Sequence, residues 1–377
     1  MYKIDYFIEE KIKEGYFPGC VILIGNREDN IFHKAYGFSE LTPTKREMRK
    51  DDIFDIASLT KPIATATSIL ILLDSRLIRL DTQVGSLLTE LKGTINEGKT
   101  IFELLTHTSF FPAWYPLYLI SNIDYRSVGA YPQHSRRPLH PDSKYEKEII
   151  QFIGNMKAES PVYSCLDYIL LGKIVERITG KALKEFSERN IFKPLKMIDT
   201  SFCPPQKFKM RFVATEVGNK HEKELSKKYK DEPSFKWREK SIVGEVHDGN
   251  SFYCFKGISG NAGLFSTACD IATFARILLQ GGNKVIKPAI VNFLLKEQVE
   301  VLGEKRSLGF LIEGSGCGRL SQKTALHTGF TGCALWIDPE KDIFIIFLSN
   351  AVHPDVRPNI LRPIRPQIVN HCLKIAM

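Results

Sequence analysis

The segment Ser58-Leu59-Thr60-Lys61 and the apolar run that follows it, residues 62–73, decide the fold of this 377-residue chain. On a helix, Ser58 and Lys61 would lie one turn apart on the same face. Proline is tolerated in the first turn of a helix but breaks its interior, so Pro62 places Ser58 at the helix N-terminus, where backbone N–H groups favour developing negative charge. A serine becomes a nucleophile when a base takes its proton, and lysine can do so only if its pKa falls from about 10.4. Taken alone, the pattern is also compatible with a chance spacing.

Two further segments could join this pair in a reactive site. His327-Thr328-Gly329 leads into a predicted strand, and a glycine there lets the backbone approach a ligand closely. Tyr163-Ser164-Cys165 opens a helical stretch, and a tyrosine beside cations can relay a proton. Each segment also has an ordinary interpretation, as a glycine-rich turn with a hydrogen-bonded histidine and as a core tyrosine. Trp114 is equally compatible with the rim of a cleft and with a loop anchor.

Outward from this segment, the pattern predicts strands at both ends of the chain and helices between them. Helices are predicted over residues 3–14, 62–73, 100–106, 163–189 and 360–376. Strands are predicted over residues 19–25, 31–36, 307–313, 334–337 and 343–348. The proline-rich residues 112–144 predict a long ordered loop.

The predicted fold class is α+β in two lobes. An antiparallel sheet domain, residues 1–60 and 240–377, is flanked by the N- and C-terminal helices. A mainly helical domain with long loops, residues 61–239, is inserted into it. The active site is expected in the cleft between the two domains.

The composition is that of a globular protein and excludes several classes of function. The net charge of +9 is dispersed, and the local excess over residues 220–240 is interleaved with acidic residues, so nucleic-acid binding is not predicted. Eight cysteines without C-x-x-C spacing predict buried free thiols in a reducing compartment. The absence of a secretory signal and of an apolar stretch near 20 residues predicts a cytoplasmic chain without a membrane span. No metal-ligand or nucleotide-binding motif is present, so no metal or cofactor is predicted.

The three short motifs together resemble those of serine β-lactamases and penicillin-binding proteins. That family combines S-x-x-K, a second polar motif and K/H-[S/T]-G, and the class C branch has a tyrosine as its second motif. This chain has the three motifs in that order at residues 58–61, 163–165 and 327–329. Further segments that resemble landmarks of this branch and its esterase relatives are residues 104–109, 166–172, 244–248 and 262–267. The resemblance implies a β-lactamase/transpeptidase-like fold and a hydrolase that works through an acyl-enzyme.

The resemblance also implies a role for each matching residue. Ser58 would be the nucleophile, Lys61 the base for acylation, and Tyr163 a proton relay to the leaving group and the deacylating water. His327 would complete the proton and substrate network. The backbone N–H groups of Ser58 and Phe330 would form the oxyanion hole. Substrate contacts are expected from Thr328, Gly329, Cys165 and Trp114.

The chain departs from the family pattern around these motifs. Cys165 stands where the family has an asparagine that contacts a substrate amide, and a thiol is a weak hydrogen-bonding group. Asp167 and Phe110 stand where glycine is usual, and Asn261 stands where histidine is frequent. His327 replaces the more common lysine, and with a reference pKa of about 6.5 it is often neutral at pH 7.

These features predict a carboxylesterase acting on small esters, because the amide-reading asparagine and a secretion signal are both missing. The predicted partner is therefore a small-molecule ester or amide, and the oligomeric state is left open. Alternatives within the enzymes are a β-lactamase, a D,D-peptidase and a D-aminopeptidase. The alternative of another class is a catalytically silent relative that binds peptides or acyl groups, which Cys165 and Asp167 motivate.

Overall fold

The computed structural model describes residues 2–120, 144–314 and 316–376. In chain order, its strands are β1 (Gly19–Gly25), β2 (Asn30–Glu40), β3 (Arg46–Glu47), β4 (Phe54–Asp55), β5 (Ser201–Phe202), β6 (Ala214–Val217), β7 (Ser241–Val243), β8 (Leu264–Ser266), β9 (Val299–Val301), β10 (Glu304–Arg306), β11 (Leu311–Ile312), β12 (Ala325–Thr328), β13 (Ala334–Asp338) and β14 (Ile343–Ser349). The main sheet has the order β3-β2-β1-β14-β13-β12-β11-β10-β9, and its neighbouring strands are antiparallel. Its centre therefore joins strands from opposite ends of the chain.

The helices cover both faces of this sheet and build a second region beside it. They are α1 (Lys3–Lys13), α2 (Thr67–Asp74), α3 (Val84–Leu87), α4 (Ile101–Thr106), α5 (Lys144–Gly154), α6 (Cys165–Thr179), α7 (Leu183–Ser187), α8 (Lys220–Ser226), α9 (Ala268–Leu279), α10 (Pro288–Leu295) and α11 (Arg365–Ala376). A 3-10 turn, Ala57–Leu59, and a π-helical turn, Lys61–Ala66, precede α2. Short β-sheets in the orders β4-β8-β5 and β6-β7 complete the frame.

Alternating side chains of β14 enter two separate cores. Phe344, Ile346 and Leu348 pack into the larger core, which contains the helices around α2, α6 and α9. Ile345 and Phe347 pack into a smaller core with α1 and α11. Because successive side chains of a strand point to opposite faces, the unbroken apolar run of β14 reflects a strand that is buried on both sides.

Several predicted elements agree with the structure. The N-terminal helix, the hairpin of β1 and β2, the helix over residues 101–106 and the hairpin of β13 and β14 are all present. The pairing of the terminal segments is also present, with Cys20 opposite Ser349 in β1 and β14. The α+β class with an antiparallel sheet is therefore confirmed.

Other predicted boundaries are wrong. The helix predicted over residues 163–189 is broken, because Gly180 adopts a left-handed conformation with φ 66° and ends α6. The strand predicted over residues 307–313 is reduced to β11, because a turn closed by Ser307 N–H donating to Phe310 O precedes it. The closing helix begins at Arg365 and not at residue 360, with Pro366 in its first turn, where proline is tolerated.

The remaining predictions have mixed outcomes. Of the predicted loop 112–144, residues 121–143 lie outside the described residues. The eight cysteines are thiols, as predicted, but Cys165 and Cys203 are half-buried and Cys269 is exposed at the start of α9, so the prediction that all are buried is wrong. Within the described ranges, no helix has the length and apolarity needed to cross a membrane. The division into domains at residues 60 and 240 stays a prediction; β5 and β6 lie inside the segment predicted to be mainly helical.

Candidate active site

Ser58 lies on a sharply turned segment between β4 and the π-helical turn. Ala57, just before it, has a positive φ of 46°, a conformation that is costly for a residue with a side chain. Thr60 supports the turn, because its hydroxyl donates to Ala57 O at 2.6 Å and accepts from Leu264 N–H at 3.1 Å. Ser58 is consequently held half-buried at the wall of a cavity.

Lys61 is completely buried beneath Ser58. Its Nζ lies 3.1 Å from Ser58 Oγ, 3.0 Å from Asn261 O and 3.6 Å from Cys165 Sγ. A neutral amine has two N–H groups and one lone pair. In the neutral form, Lys61 can donate its N–H groups to Asn261 O and Cys165 Sγ, and its lone pair then accepts from the Ser58 hydroxyl.

Opposing effects act on the pKa of Lys61. Burial lowers this pKa, whereas ionised Cys165 and Tyr163 side chains and the Asp248 carboxyl group raise it, and the net direction is upward. Burial also raises the pKa of Cys165 and of Tyr163, so that both are neutral near pH 7. With Cys165 and Tyr163 neutral, burial favours the free-base form of Lys61 that a general base requires, and Asp248 acts in the opposite direction.

Tyr163 lies immediately before α6 and faces the same centre. Ser164 fixes its position, because the Ser164 hydroxyl accepts from Leu166 N–H at 3.1 Å and donates to Pro112 O at 2.6 Å. The Tyr163 hydroxyl is buried, with the Lys61 and Ser58 side chains as its hydrogen-bonding neighbours. Its ring centroid lies 4.9 Å from Lys61 Nζ, so the phenol is close to the lysine without a fixed competing bond.

His327, in β12, lies across the site from Tyr163, with 6.0 Å between the ring centroids. His327 Nδ1 is 3.0 Å from Thr328 O, and since a carbonyl oxygen can only accept, the proton of the neutral ring is on Nδ1. Burial lowers the pKa of His327 to about 3. This histidine is therefore neutral at physiological pH and presents an unprotonated Nε2.

Two backbone N–H groups beside Ser58 are available to a ligand. Neither Ser58 N–H nor Phe330 N–H donates to any of the described residues. Gly329 makes the approach possible, since a Cβ there would lie 2.6 Å from Ile56 O. Thr331 ties the turn to the segment before Ser58 by donating to Asp55 O at 2.8 Å. Paired free N–H groups next to a serine form the kind of site that stabilises an oxyanion.

A cavity of about 700 Å³ opens over these groups, a volume typical of small-molecule sites. Trp114 and Thr328 contribute to its wall, and the Phe330 side chain, which is 50% exposed, stands at its surface. Acidic and basic side chains that line it are Glu222, Asp248, Glu304, Arg306, Arg357, Arg362 and Arg365. The described residues contain no cluster of His, Cys, Asp or Glu side chains suited to a metal ion.

The predicted site residues that line this cavity are Ser58, Trp114, Tyr163, Cys165, His327, Thr328, Gly329 and Phe330, and Lys61 is buried beneath Ser58. Asp167, Asn261 and Phe110 are not part of the lining. The structure adds two contacts that the motifs did not indicate. Asn261 supplies a backbone carbonyl to Lys61, which no side-chain pattern could signal. His107 lies behind Tyr163, with 4.5 Å between the ring centroids. His107 belongs to a segment that the sequence matched to the family, but no role followed from that match.

Comparisons with known proteins agree with this geometry. The family model described as Beta-lactamase matches residues 4–367. The chain is 30% identical over 386 residues to "N-acetylmuramyl-L-alanine amidase" of Bacillus subtilis (strain 168), covering 95% of this chain and 83% of that protein. It is 29% identical over 394 residues to "Putative D-alanyl-D-alanine carboxypeptidase" of Escherichia coli (strain K12), covering 95% and 85%. The crystal structure of a class C β-lactamase from Rhodobacter sphaeroides superimposes with a TM-score of 0.70 at 15% identity, covering 98% and 99%.

Proposed function

The chain belongs to the beta-lactamase family of hydrolases, and from that premise we propose that it hydrolyses small carboxylic esters through an acyl-enzyme on Ser58. The observation that carries the proposal is the 3.1 Å contact between Ser58 Oγ and the completely buried Lys61 Nζ. Among the described residues no carboxylate lies within hydrogen-bonding distance of Lys61 Nζ, and the amine faces a hydroxyl that it can deprotonate.

In acylation, Ser58 Oγ attacks the carbonyl carbon of the substrate and its proton moves to Lys61 Nζ. The carbonyl oxygen becomes negative while it faces the Ser58 and Phe330 N–H groups. When the tetrahedral intermediate collapses, the bond to the leaving oxygen breaks. That oxygen receives the proton from Lys61 through the Tyr163 hydroxyl, which leaves an ester on Ser58.

In deacylation, a water molecule attacks the ester on Ser58. Tyr163 takes the proton of the water and passes it toward Lys61, and the departing Ser58 oxygen regains a proton as the acid leaves. His327 contributes the unprotonated Nε2 of a neutral imidazole, which can accept a hydrogen bond from substrate or water. Each group ends the cycle in its starting protonation state.

The ester preference follows from Cys165. Its thiol contacts Lys61 at 3.6 Å and occupies the family position of an amide-reading asparagine. A thiol is a weak donor and acceptor, so an amide N–H or carbonyl bound there loses a hydrogen bond that an ester does not require. The cost to an amide substrate is of the order of 1 kcal/mol.

A second candidate function, hydrolysis of peptidoglycan-type amides, is favoured by the names of the relatives. Two proteins that match over 95% of this chain are named an amidase and a putative carboxypeptidase. β-Lactams and D-alanyl-D-alanine peptides therefore belong in the same experiment as the esters.

Substrate profiling of the wild type and of Cys165→Asn tests the ester proposal. We expect kcat/KM to be highest on short-chain nitrophenyl esters, above nitrocefin and D-Ala-D-Ala peptides. Cys165→Asn should raise the ratio of peptide to ester activity about fivefold, since it restores one hydrogen-bonding group. Cys269→Asn is the matched control, because Cys269 is exposed on α9 away from the cavity. A wild-type rate on nitrocefin or peptide well above the ester rate would replace the ester proposal with the second candidate.

A further inference from the structure

Asp167 is a completely buried carboxyl group in the first turn of α6. It points away from the cavity toward the C-terminal end of α4. There Asp167 Oδ2 lies 2.8 Å from His107 Nδ1, and Asp167 Oδ1 accepts a hydrogen bond from the Ser109 hydroxyl. Ser109 Oγ in turn accepts from Phe111 N–H at 3.2 Å, so its only proton is committed to Asp167.

The hydrogen bonds at His107 Nδ1 indicate the protonation state of Asp167 and His107. Ser164 N–H points at the same nitrogen from 3.1 Å. A backbone N–H can only donate, so Nδ1 must offer its lone pair and carries no proton. The 2.8 Å contact between His107 Nδ1 and Asp167 Oδ2 then holds a proton only if Asp167 supplies it, and the single lone pair of Nδ1 is shared by the two donors, Ser164 N–H and Asp167 O–H.

We propose that Asp167 is a protonated, neutral carboxylic acid in the folded protein, which donates to His107 Nδ1 and thereby fixes the position of Tyr163. His107 is consequently neutral, with its own proton on Nε2. Its ring packs against Tyr163 at 4.5 Å and against Tyr168 at 5.1 Å between centroids. Asp167 and His107 are thus positioning residues that act through Tyr163.

The surroundings support a neutral pair. Burial raises the pKa of Asp167 well above its ordinary value, and burial lowers the pKa of His107 well below its ordinary value. An ion pair would place two charges in an apolar interior, which is costly. The titratable and charged groups that face Asp167 from the neighbouring elements are His107, Glu103, Lys61, Arg306, Tyr163 and Tyr168.

The effect on catalysis rests on the proposed function of Tyr163, whereas the protonation of Asp167 does not. A direct test is therefore the tautomer of His107, observed by two-bond ¹H–¹⁵N NMR of histidine-labelled wild type between pH 6 and 8. The His107 signals are assigned by their loss in His107→Gln. We expect a protonated Nε2 and an unprotonated Nδ1 throughout. A protonated Nδ1, in a neutral ring or an imidazolium, would overturn the proposal.

Kinetics of Asp167→Asn and Asp167→Leu test the positioning role. The asparagine amide can donate to His107 and accept from Ser109, so kcat should stay within about threefold of wild type. Leucine has a similar size without a donor, and we expect kcat to fall at least tenfold with KM nearly unchanged. Asp270→Asn, which neutralises a buried carboxyl bound by Thr200 at 2.8 Å outside the cavity lining, is the control.

The outcomes separate this inference from the proposed function. A loss of kcat in Asp167→Asn as large as in Asp167→Leu would show that the carboxylate charge is needed and would contradict a neutral acid. If Asp167→Leu does not fold, the wild-type NMR spectrum and Asp167→Asn still decide the protonation state. A chain without hydrolase activity that nevertheless shows the expected His107 tautomer would refute only the proposed function.

Discussion

Lys61 is the side chain on which the proposed chemistry depends. The groups within 3.6 Å of its Nζ, Ser58 Oγ, Cys165 Sγ and Asn261 O, are uncharged near neutral pH. A buried ammonium without a carboxylate in direct contact is costly, and burial of this kind favours loss of the proton. Burial therefore disfavours the ammonium form of Lys61 and favours the neutral amine, which can act as the base.

Removing the base or the relay should abolish most activity without unfolding the protein. We expect Lys61→Ala and Tyr163→Phe each to lower kcat by about 10²- to 10⁴-fold, the usual contribution of a positioned acid or base. Thermal unfolding of each variant checks that the fold is intact. Tyr36→Phe is the control, because Tyr36 is buried in β2 and its hydroxyl donates to Asp5 away from the cavity. Wild-type kcat in either site variant would refute the assigned roles.

The neutral state of His327 predicts a specific pH dependence. Burial lowers its pKa to about 3, so the neutral form, which exists above the pKa, persists through pH 5 to 8. We expect the pH profile of kcat/KM to show no change near pH 6.5 that is caused by titration of His327. His327→Gln should lower the rate and leave the shape of the profile unchanged in this range. A limb near pH 6.5 in the wild type that disappears in His327→Gln would contradict the neutral histidine.

Some of these residues could be predicted from the sequence and others could not. Ser58, Lys61, Tyr163 and His327 are side chains in short motifs, so their identity and order were visible. The contact from Asn261 was not, because it uses a backbone carbonyl that every residue possesses.

The close approach of α6 to the segment before β8 builds the floor of the site. A Cβ on Gly260 would lie 1.9 Å from Tyr168 O, so only glycine fits against the helix there. Thr65, in the π-helical turn, donates to Gly260 O at 2.8 Å. The next residue, Asn261, supplies the carbonyl that holds Lys61. Three elements therefore meet at one glycine.

Substitution of this glycine should damage both stability and activity. We expect Gly260→Ala to lower the free energy of unfolding by about 1–3 kcal/mol, as overpacking does, and to lower kcat by displacing Asn261. Gly98→Ala is the matched control, since a Cβ on Gly98 would meet no atom within 4 Å. Denaturant unfolding and kcat measure the two effects. If Gly260→Ala behaves like Gly98→Ala, the close contact does not hold the site together.

Buried strands were predicted correctly from the sequence, whereas partly exposed strands were missed. β14 has seven consecutive buried residues, and its apolar run was easy to recognise. β9 and β10 read Val-Glu-Val and Glu-Lys-Arg at the edge of the sheet, where partial exposure allows charged residues, so no pattern indicated them.

For the chain as a whole, the periodicity of apolar residues could not predict that β1 pairs with β14. These strands are more than 300 residues apart in sequence, since Cys20 lies opposite Ser349. Many sheet topologies are compatible with the predicted helices and strands. The pairing of the terminal strands was therefore predicted from the simplest connection between the segments and from the family resemblance. The match of the family model over residues 4–367 confirms that resemblance.

The central claim is that Ser58 is an activated nucleophile, and the alternative is a silent relative that only binds its ligand. The most direct test is the intact-protein mass of the wild type and of Ser58→Ala after treatment with a fluorophosphonate. The account predicts a single covalent adduct on the wild type and none on Ser58→Ala, with both proteins folded. An unmodified wild type that is shown to be folded would contradict the account and would favour a binding protein.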